Sequence, residues 1–373
     1  VILPSPSRPA SATPEAAAVR VVVCDDSAVI RGLVSRMLEA DPAIAVVGRA
    51  GNGREAIDLA GRLKPDVIVL DIEMPVMDGL AALPEILKAD PSVRVVMAST
   101  LTTRGADVAM RALRLGAADY VPKPTTTGAI AGESSFREEI VAKVKGLARQ
   151  RRHAVAAAPA RTVPLARPAL APARAGATLP PAVLAVGSST GGPQALFTLF
   201  AGLGKAFPLP VIVTQHMPPA FTPILADHLS RVGGPPCAEA QDGEVPVAGR
   251  AYLAPGDTHL LVANERGGPR LRLSKTPPEN FCRPAVDPML RSAVAAYGGR
   301  VLVVMLTGMG HDGLKGSEAV VAAGGRVIAQ DEATSVVWGM PGAVAQKGLA
   351  SAILPLPDIA AAVTAAIRPG ARA

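Results

Sequence analysis

From Arg20 onward the chain alternates between short apolar, β-branched runs and longer amphipathic stretches. The runs, at Arg20–Val23, Ile44–Val47, Val67–Leu70, Val93–Met97 and Asp119–Val121, predict five strands. The stretches near Val29–Leu38, Arg54–Leu63, Leu80–Leu87 and Ala106–Leu115 predict the helices between them. Near-continuous apolar strands alternating with helices imply a parallel sheet covered on both faces. In such a doubly wound sheet, functional residues collect at the carboxyl ends of the strands.

The same rhythm resumes at Pro181. Strands are expected near Val183–Val186, Val211–Thr214, Val301–Leu306 and Arg326–Ala329, with hairpins in the turn-rich residues 237–275. Between the two halves, residues 137–152 read as a basic helix. Residues 153–180 then hold eleven Ala and five Pro with no acid and no aromatic ring, a composition that cannot bury a core and reads as a linker. The expected architecture is α/β: two doubly wound parallel-sheet domains joined by a flexible linker. Its parts are a disordered tail over 1–18, a first domain over 19–136, the basic helix and Ala/Pro/Arg-rich linker over 137–180, and a second domain over 181–373. No internal repeat is visible.

With 373 residues, 49% of them hydrophobic, the chain has material for two globular cores. Its three cysteines, Cys24, Cys237 and Cys282, are an odd number at no metal-ligand spacing. That argues against a disulfide scaffold or a zinc module and fits a reducing compartment. The net charge of +7 invites a nucleic-acid reading, but it is concentrated in one short segment. Residues 131–180 carry 9 Lys and Arg against 3 Asp and Glu, whereas residues 1–130 carry 14 against 15 and residues 181–373 carry 15 against 13. A DNA-binding output would be a compact basic helix-turn-helix, unlike the long, nearly neutral second half, so no nucleic-acid partner is expected. Residues 175–204 are uncharged, but three prolines and six glycines make them strand, turn and helix and not a membrane span. Residues 1–18 lack the apolar segment of a secretory signal. A cytoplasmic chain without membrane insertion is expected.

Candidate chemistry in the first half lies at strand ends. Asp25 and Asp26 follow the first strand and Asp71 closes the third, so three carboxylates converge and a hard divalent cation such as Mg²⁺ resolves their repulsion. Lys123, before Pro124, ends the fifth strand and Ser99 the fourth. One Asp after a strand is often only a helix cap, but five such residues at successive strand ends are not. Together with Met74-Pro75-Val76-Met77-Asp78-Gly79, they resemble a flavodoxin-like response-regulator receiver domain over about residues 19–130. The resemblance implies that Asp71 accepts a phosphoryl group from a histidine kinase. Asp25, Asp26 and Asp71, with the main-chain carbonyl at Glu73, would hold Mg²⁺; Ser99 and Lys123 would contact the phosphoryl oxygens, and Tyr120 matches an aromatic switch position.

In the second half, the strand Val183–Val186 runs into Gly187-Ser188-Ser189-Thr190-Gly191-Gly192, and Pro193 starts a helix. The Gly-x-Ser-x-Gly spacing fits a nucleophile elbow; a glycine-rich anion-binding turn at a helix N-terminus is the alternative. Serine needs a base. His216 follows a strand and so shares a sheet edge with Ser189, with His311 as its rival and Asp312 as the carboxylate that would orient it. The adjacency of His311 to Asp312 counts against His311, because neighbouring side chains on an extended segment point apart. The order Ser, His, Asp departs from ordinary α/β-hydrolases.

This constellation resembles the catalytic domain of the CheB family of chemotaxis protein-glutamate methylesterases, here with a Rossmann-like sheet. The motifs that carry the resemblance are the glycine turn, Gln215-His216-Met217-Pro218-Pro219, Arg283-Pro284-Ala285-Val286-Asp287 and Thr307–Gly313. It implies a phosphorylation-activated serine hydrolase that demethylates glutamate esters, and deamidates certain glutamines, on methyl-accepting chemoreceptors. Ser189 would be nucleophile, His216 base and then acid, Asp312 the orienting carboxylate, the Met309 N–H the oxyanion donor, and Thr190 a substrate neighbour. The esterase reaction itself would need no cofactor. Two departures stand out: Ser188 where the family often has Ala, and His311 where it has a small residue, placed to perturb His216. A hydrolase-like module that only binds receptors is the rival reading.

Overall fold

The computed structural model describes residues 18–100, 102–123, 130–156 and 180–367. Residues 1–17, Pro124 and the linker stretch 157–179 lie outside them.

The first half is β1 (Val19–Cys24), α1 (Ala28–Glu39), β2 (Ile44–Ala50), α2 (Gly53–Leu63), β3 (Val67–Asp71), α3 (Gly79–Ala89), β4 (Arg94–Ser99), α4 (Thr103–Arg114), β5 (Asp119–Pro122) and α5 (Ile130–Ala156). Side-chain oxygens of Ser27, Asn52, Asp78 and Thr102 accept main-chain N–H bonds at the starts of α1 to α4, satisfying donors that have no partner within the helix. The strands pair in parallel in the order β2-β1-β3-β4-β5. Alternate residues serve opposite faces. Val22, Ile68, Val95 and Met97 pack toward α2, α3 and α4, while Val21, Val23, Val67, Val69 and Val96 pack toward α1 and α5.

The helix expected from residue 137 therefore begins at Ile130, and the expected boundary at residue 136 falls inside it. Phe136, Ile140, Val144 and Leu147 recur at helical spacing and are buried against that second face. Of the basic residues expected there, Arg137, Lys145 and Arg152 are exposed, whereas Lys143 is buried on the packed face against Asp119 and the Tyr120 carbonyl.

The second half is β6 (Val183–Ser188), α6 (Gly192–Leu203), β7 (Val211–Gln215), α7 (Thr222–Arg231), β8 (Cys237–Glu239), β9 (Ala251–Leu253), β10 (His259–Glu265), β11 (Gly268–Ser274), α8 (Val286–Tyr297), β12 (Val301–Met305), α9 (Leu314–Ala322), β13 (Arg326–Gln330), α10 (Met340–Gln346), β14 (Ala352–Leu354) and α11 (Leu356–Ile367). Seven strands pair in parallel in the order β14-β13-β12-β6-β7-β9-β8. The hairpin expectation for residues 237–275 holds only for β10 and β11, which pair antiparallel. The short β8 and β9 instead extend the parallel sheet, because α7 and a long turn carry the chain back to the same edge each time. Strand order reverses between β6 and β12, where a doubly wound sheet opens its crevice.

The two domains touch through β5, α4 and α5 of the first. Tyr120 stacks on Phe221 with ring centroids 4.8 Å apart, a contact worth about 1 kcal/mol beyond its area. Gln194 Nε2 donates to the carbonyls of Leu113 and Ala117, and Gln150 Nε2 to that of Thr334. The buried Asp119 carboxylate accepts the Gly191 N–H at 3.0 Å, so β5 of the first domain ties down the glycine turn of the second.

Candidate active site and phosphoacceptor site

Because β1 and β3 are neighbours, Asp25, Asp26 and Asp71 meet, with ligand oxygens within 4.8 Å of one another. Asp25 and Asp71 are buried and Asp26 is exposed. Neither Asp25 nor Asp26 caps the following helix: Ser27 does, and its own N–H donates to Asp25 Oδ1 at 2.9 Å. Lys123 Nζ lies 3.0 Å from Asp25 and 2.6 Å from Asp71. Ser99 is buried at the end of β4, and the Glu73 N–H points at Asp71 Oδ1 from 3.4 Å. A Cβ at position 79 would lie 2.0 Å from the Asp71 carbonyl oxygen, so only glycine lets α3 start against the acceptor strand. Burial pushes the Asp71 carboxyl up to about 6; Lys123 opposes this and Asp25 reinforces it. Lys123 is itself held above the ordinary lysine value, its burial outweighed by Asp71 and Asp25. An all-carboxylate donor set of this spacing fits a hard ion that keeps some of its water, as Mg²⁺ does.

The second site opens where β6, β7 and β12 end. β6 closes on Ser188, and Ser189 stands in the turn before α6. A Cβ at position 192 would meet Gln215 Oε1 at 1.9 Å, so glycine is what lets the turn approach β7. The Ser189 N–H donates to the Thr307 carbonyl at 3.0 Å. Gln215 braces the turn further: its Nε2 donates to the Ser189 and His216 carbonyls, and its Oε1 accepts the Ser188 hydroxyl at 2.7 Å. The extra hydroxyl of Ser188 is thus buried in a structural bond.

His216 directly follows β7, and its Nε2 meets Asp312 Oδ2 at 2.7 Å. Asp312 is buried, yet its carboxyl stays below the usual range. Burial acts against the charge, and it is overcome by His216 and by main-chain N–H groups of Val286 and Asp287. Asn280 Nδ2 and the Gly313 N–H also donate to it, at 2.8 and 2.9 Å. His216 is pushed up to about 10: burial opposes the charged ring, but hydrogen bonds to Asp312 and Cys282 prevail. His311 is exposed on the cleft, and the largest contributions to the His216 shift come from burial, Asp312 and Cys282. The sheet edge pairs Asp312 with His216.

Ser189, Thr190, His216, Met309 and Asp312 line one cleft of about 970 Å³, whose wall also includes Tyr120, Pro122, Glu138 and Glu139 of the first domain. The Ser189 hydroxyl, half-buried there, makes no hydrogen bond to His216. Three residues that spacing did not single out prove central to the geometry. Gln215 was visible only as a neighbour of His216, and Asn280 and Cys282 lie in a turn with no motif of their own.

Residues 184–363 match the family described as CheB methylesterase, and residues 21–133 match the response regulator receiver domain. The chain is 57% identical over 362 residues to the protein-glutamate methylesterase/protein-glutamine glutaminase of group 2 operon of Rhodospirillum centenum, covering 91% of this chain and 92% of that one. To protein-glutamate methylesterase/protein-glutamine glutaminase 1 of Paramagnetospirillum magneticum it is 54% identical over 370 residues, covering 94% and 96%. Among solved structures, the Thermotoga maritima CheB methylesterase catalytic domain aligns at 42% identity with a TM-score of 0.48, covering 50% of this chain and 98% of that one. The alignments span nine tenths of this chain or more: the chain belongs to the CheB methylesterase family, with a response regulator receiver domain ahead of the esterase domain.

Proposed function

We propose that this chain is a receiver-controlled protein-glutamate methylesterase that also deamidates glutamines, acting on chemoreceptors. The relatives named above carry both activities in their names. The observation that carries the assignment of residues is the His216–Asp312 pair, 2.7 Å apart, in the same cleft as a serine on a glycine turn. Ser189 Oγ attacks the ester carbonyl and its proton passes to the His216 ring, which then delivers it to the departing methanol. Water repeats the sequence on the acyl-enzyme and releases the glutamate carboxylate; with a glutamine the leaving group is ammonia. Asp312 holds the ring and balances its charge. The Met309 N–H at the cleft donates to the developing oxyanion, and Thr190 borders the substrate.

In the receiver, Asp71 takes the phosphoryl group from a histidine kinase. Asp25, Asp26 and Asp71, with the Glu73 carbonyl, would hold Mg²⁺, which would neutralise charge on the transferring group. Lys123 and Ser99 supply donors to its oxygens. We read the receiver as extending through α5, ahead of the linker and the esterase domain, in a cytoplasmic protein. Among the described residues no helix is long and apolar enough to cross a membrane.

A serine-directed phosphonate tests the assignment. Mass spectrometry is expected to find the adduct on Ser189, with methanol release from a methylated chemoreceptor lost in step; an adduct elsewhere, or release that survives labelling, contradicts it.

A further inference from the structure

The turn Glu279–Cys282 crosses the mouth of the cleft. Its ends are tied by reciprocal main-chain bonds, Glu279 N–H to the Cys282 carbonyl and the reverse. Between them Asn280 and Phe281 take φ values of 53° and 63°, a left-handed conformation that costs non-glycine residues about 1 kcal/mol or more each. Asn280 Nδ2 donates to Asp287 Oδ2 at 2.9 Å and Arg291 pairs with Glu279, and the turn also reaches the catalytic groups. Asn280 Nδ2 donates to Asp312 Oδ1, and Cys282 Sγ lies 3.4 Å from His216 Nδ1. Both ring nitrogens of His216 are therefore engaged, Nε2 by Asp312 and Nδ1 by Cys282. A general base needs a lone pair facing its nucleophile, and neither nitrogen is bonded to Ser189.

We propose that Cys282 is a positioning residue that parks the general base: its sulfur holds His216 Nδ1 away from Ser189, and the reaction begins when the ring exchanges the sulfur for the serine hydroxyl. This rests on His216 being the base. The contacts at the two nitrogens both favour the charged ring, in line with its upward shift, to which Cys282 contributes after Asp312. The other titratable or charged groups on the cleft, Tyr120 of β5, Glu138 and Glu139 of α5, Asp257, Arg283 and His311, make no hydrogen bond to the imidazole. Cys24 and Cys237 are buried whereas Cys282 is partly exposed, so a thiol reagent at the cleft reads this residue.

Two measurements on the full-length chain test the proposal. The first is the rate of Cys282 alkylation by iodoacetamide at neutral pH, read by peptide mass spectrometry. A thiol beside an imidazolium is the more reactive, so His216→Ala is expected to slow it about threefold or more. Equal rates overturn the contact, whatever the enzyme does. The second is the pH profile of kcat/KM for ester hydrolysis. Cys282→Ala is expected to move the acid limb to lower pH, raising kcat/KM near pH 6.5 about threefold or more, with Cys282→Ser in between. A limb that stays put or moves up in a folded Cys282→Ser chain overturns the parking role. Esterase activity that survives Ser189→Ala would instead remove the reading of the site on which the proposal rests, while the alkylation result stands.

Discussion

Asp71 and Asp312 invite comparison. Each is a fully buried carboxylate where strand order reverses in a parallel sheet, and burial acts against the charge of both. Their acidities nonetheless move in opposite directions, up to about 6 for Asp71 and below the ordinary value for Asp312. The difference lies in what faces them. Asp312 accepts five hydrogen bonds, from His216, Asn280 and the main-chain N–H groups of Val286, Asp287 and Gly313. Asp71 has one lysine, one distant N–H and a second carboxylate beside it. The first is a finished charge that can only orient something else. The second is incomplete, which suits the proposed cation and phosphoryl group.

The largest effect separates the two sites altogether. Ser189→Ala is expected to lower ester hydrolysis on the order of a thousandfold or more, with phosphorylation of Asp71 unchanged when both are assayed on one preparation. Next, Asp312→Ala leaves His216 and several buried donors without their acceptor, so it is expected to cost about 3 kcal/mol in denaturant unfolding as well as activity. Asp71→Asn removes a charge that burial disfavours; it is expected to leave stability at neutral pH unchanged or to raise it by about 1 kcal/mol. A stability loss at Asp71 matching that at Asp312 would break the comparison.

The pH dependence sharpens it further. Without Mg²⁺, reaction of Asp71 with a small phosphodonor is expected to fall as pH drops through about 6, where the carboxyl protonates. Because its acidity is weakened by folding, its contribution to stability is greatest below the unfolded value of 3.8 and is lost as pH rises through about 6. The raised His216 works over a higher window: its contribution is full below 6.5 and lost as pH rises through about 10. Thermal unfolding followed separately in each domain across pH 4 to 10 checks both windows. The smallest effect concerns the contact between the domains. Tyr120→Ala removes the ring that stacks on Phe221 and is expected to raise the unphosphorylated esterase rate a few-fold, on the order of 1 kcal/mol of interface.

Much of this was legible in the chain itself. Strand-terminal Asp25, Asp71, Lys123, Ser189 and His216 could be placed because a parallel sheet turns chain order into spatial order at its carboxyl edge. Asp312 was found because it sits in a glycine-rich loop after such a strand. What escaped depends on contacts between distant segments. Asn280 and Cys282 belong to a strained turn whose target is fixed only when α8 and the β12 loop come together. Asp119 looks in sequence like an ordinary first residue of a strand, and its hold on Gly191 exists only in the assembled pair of domains. The strands β8 and β9 at one end of the sheet, three residues each, are too short for a periodic pattern to reveal their direction.

In the proposed enzyme, Asp71 governs the Ser189 site across the cleft wall that the two domains share. Methanol release from a methylated chemoreceptor tests it most directly, using wild type and Asp71→Asn, each with and without a small phosphodonor and Mg²⁺. Wild-type release that rises severalfold with the phosphodonor, and an Asp71→Asn rate that stays at the basal level, is the predicted result. An equal rise in Asp71→Asn, or no rise in phosphorylated wild type, would contradict it.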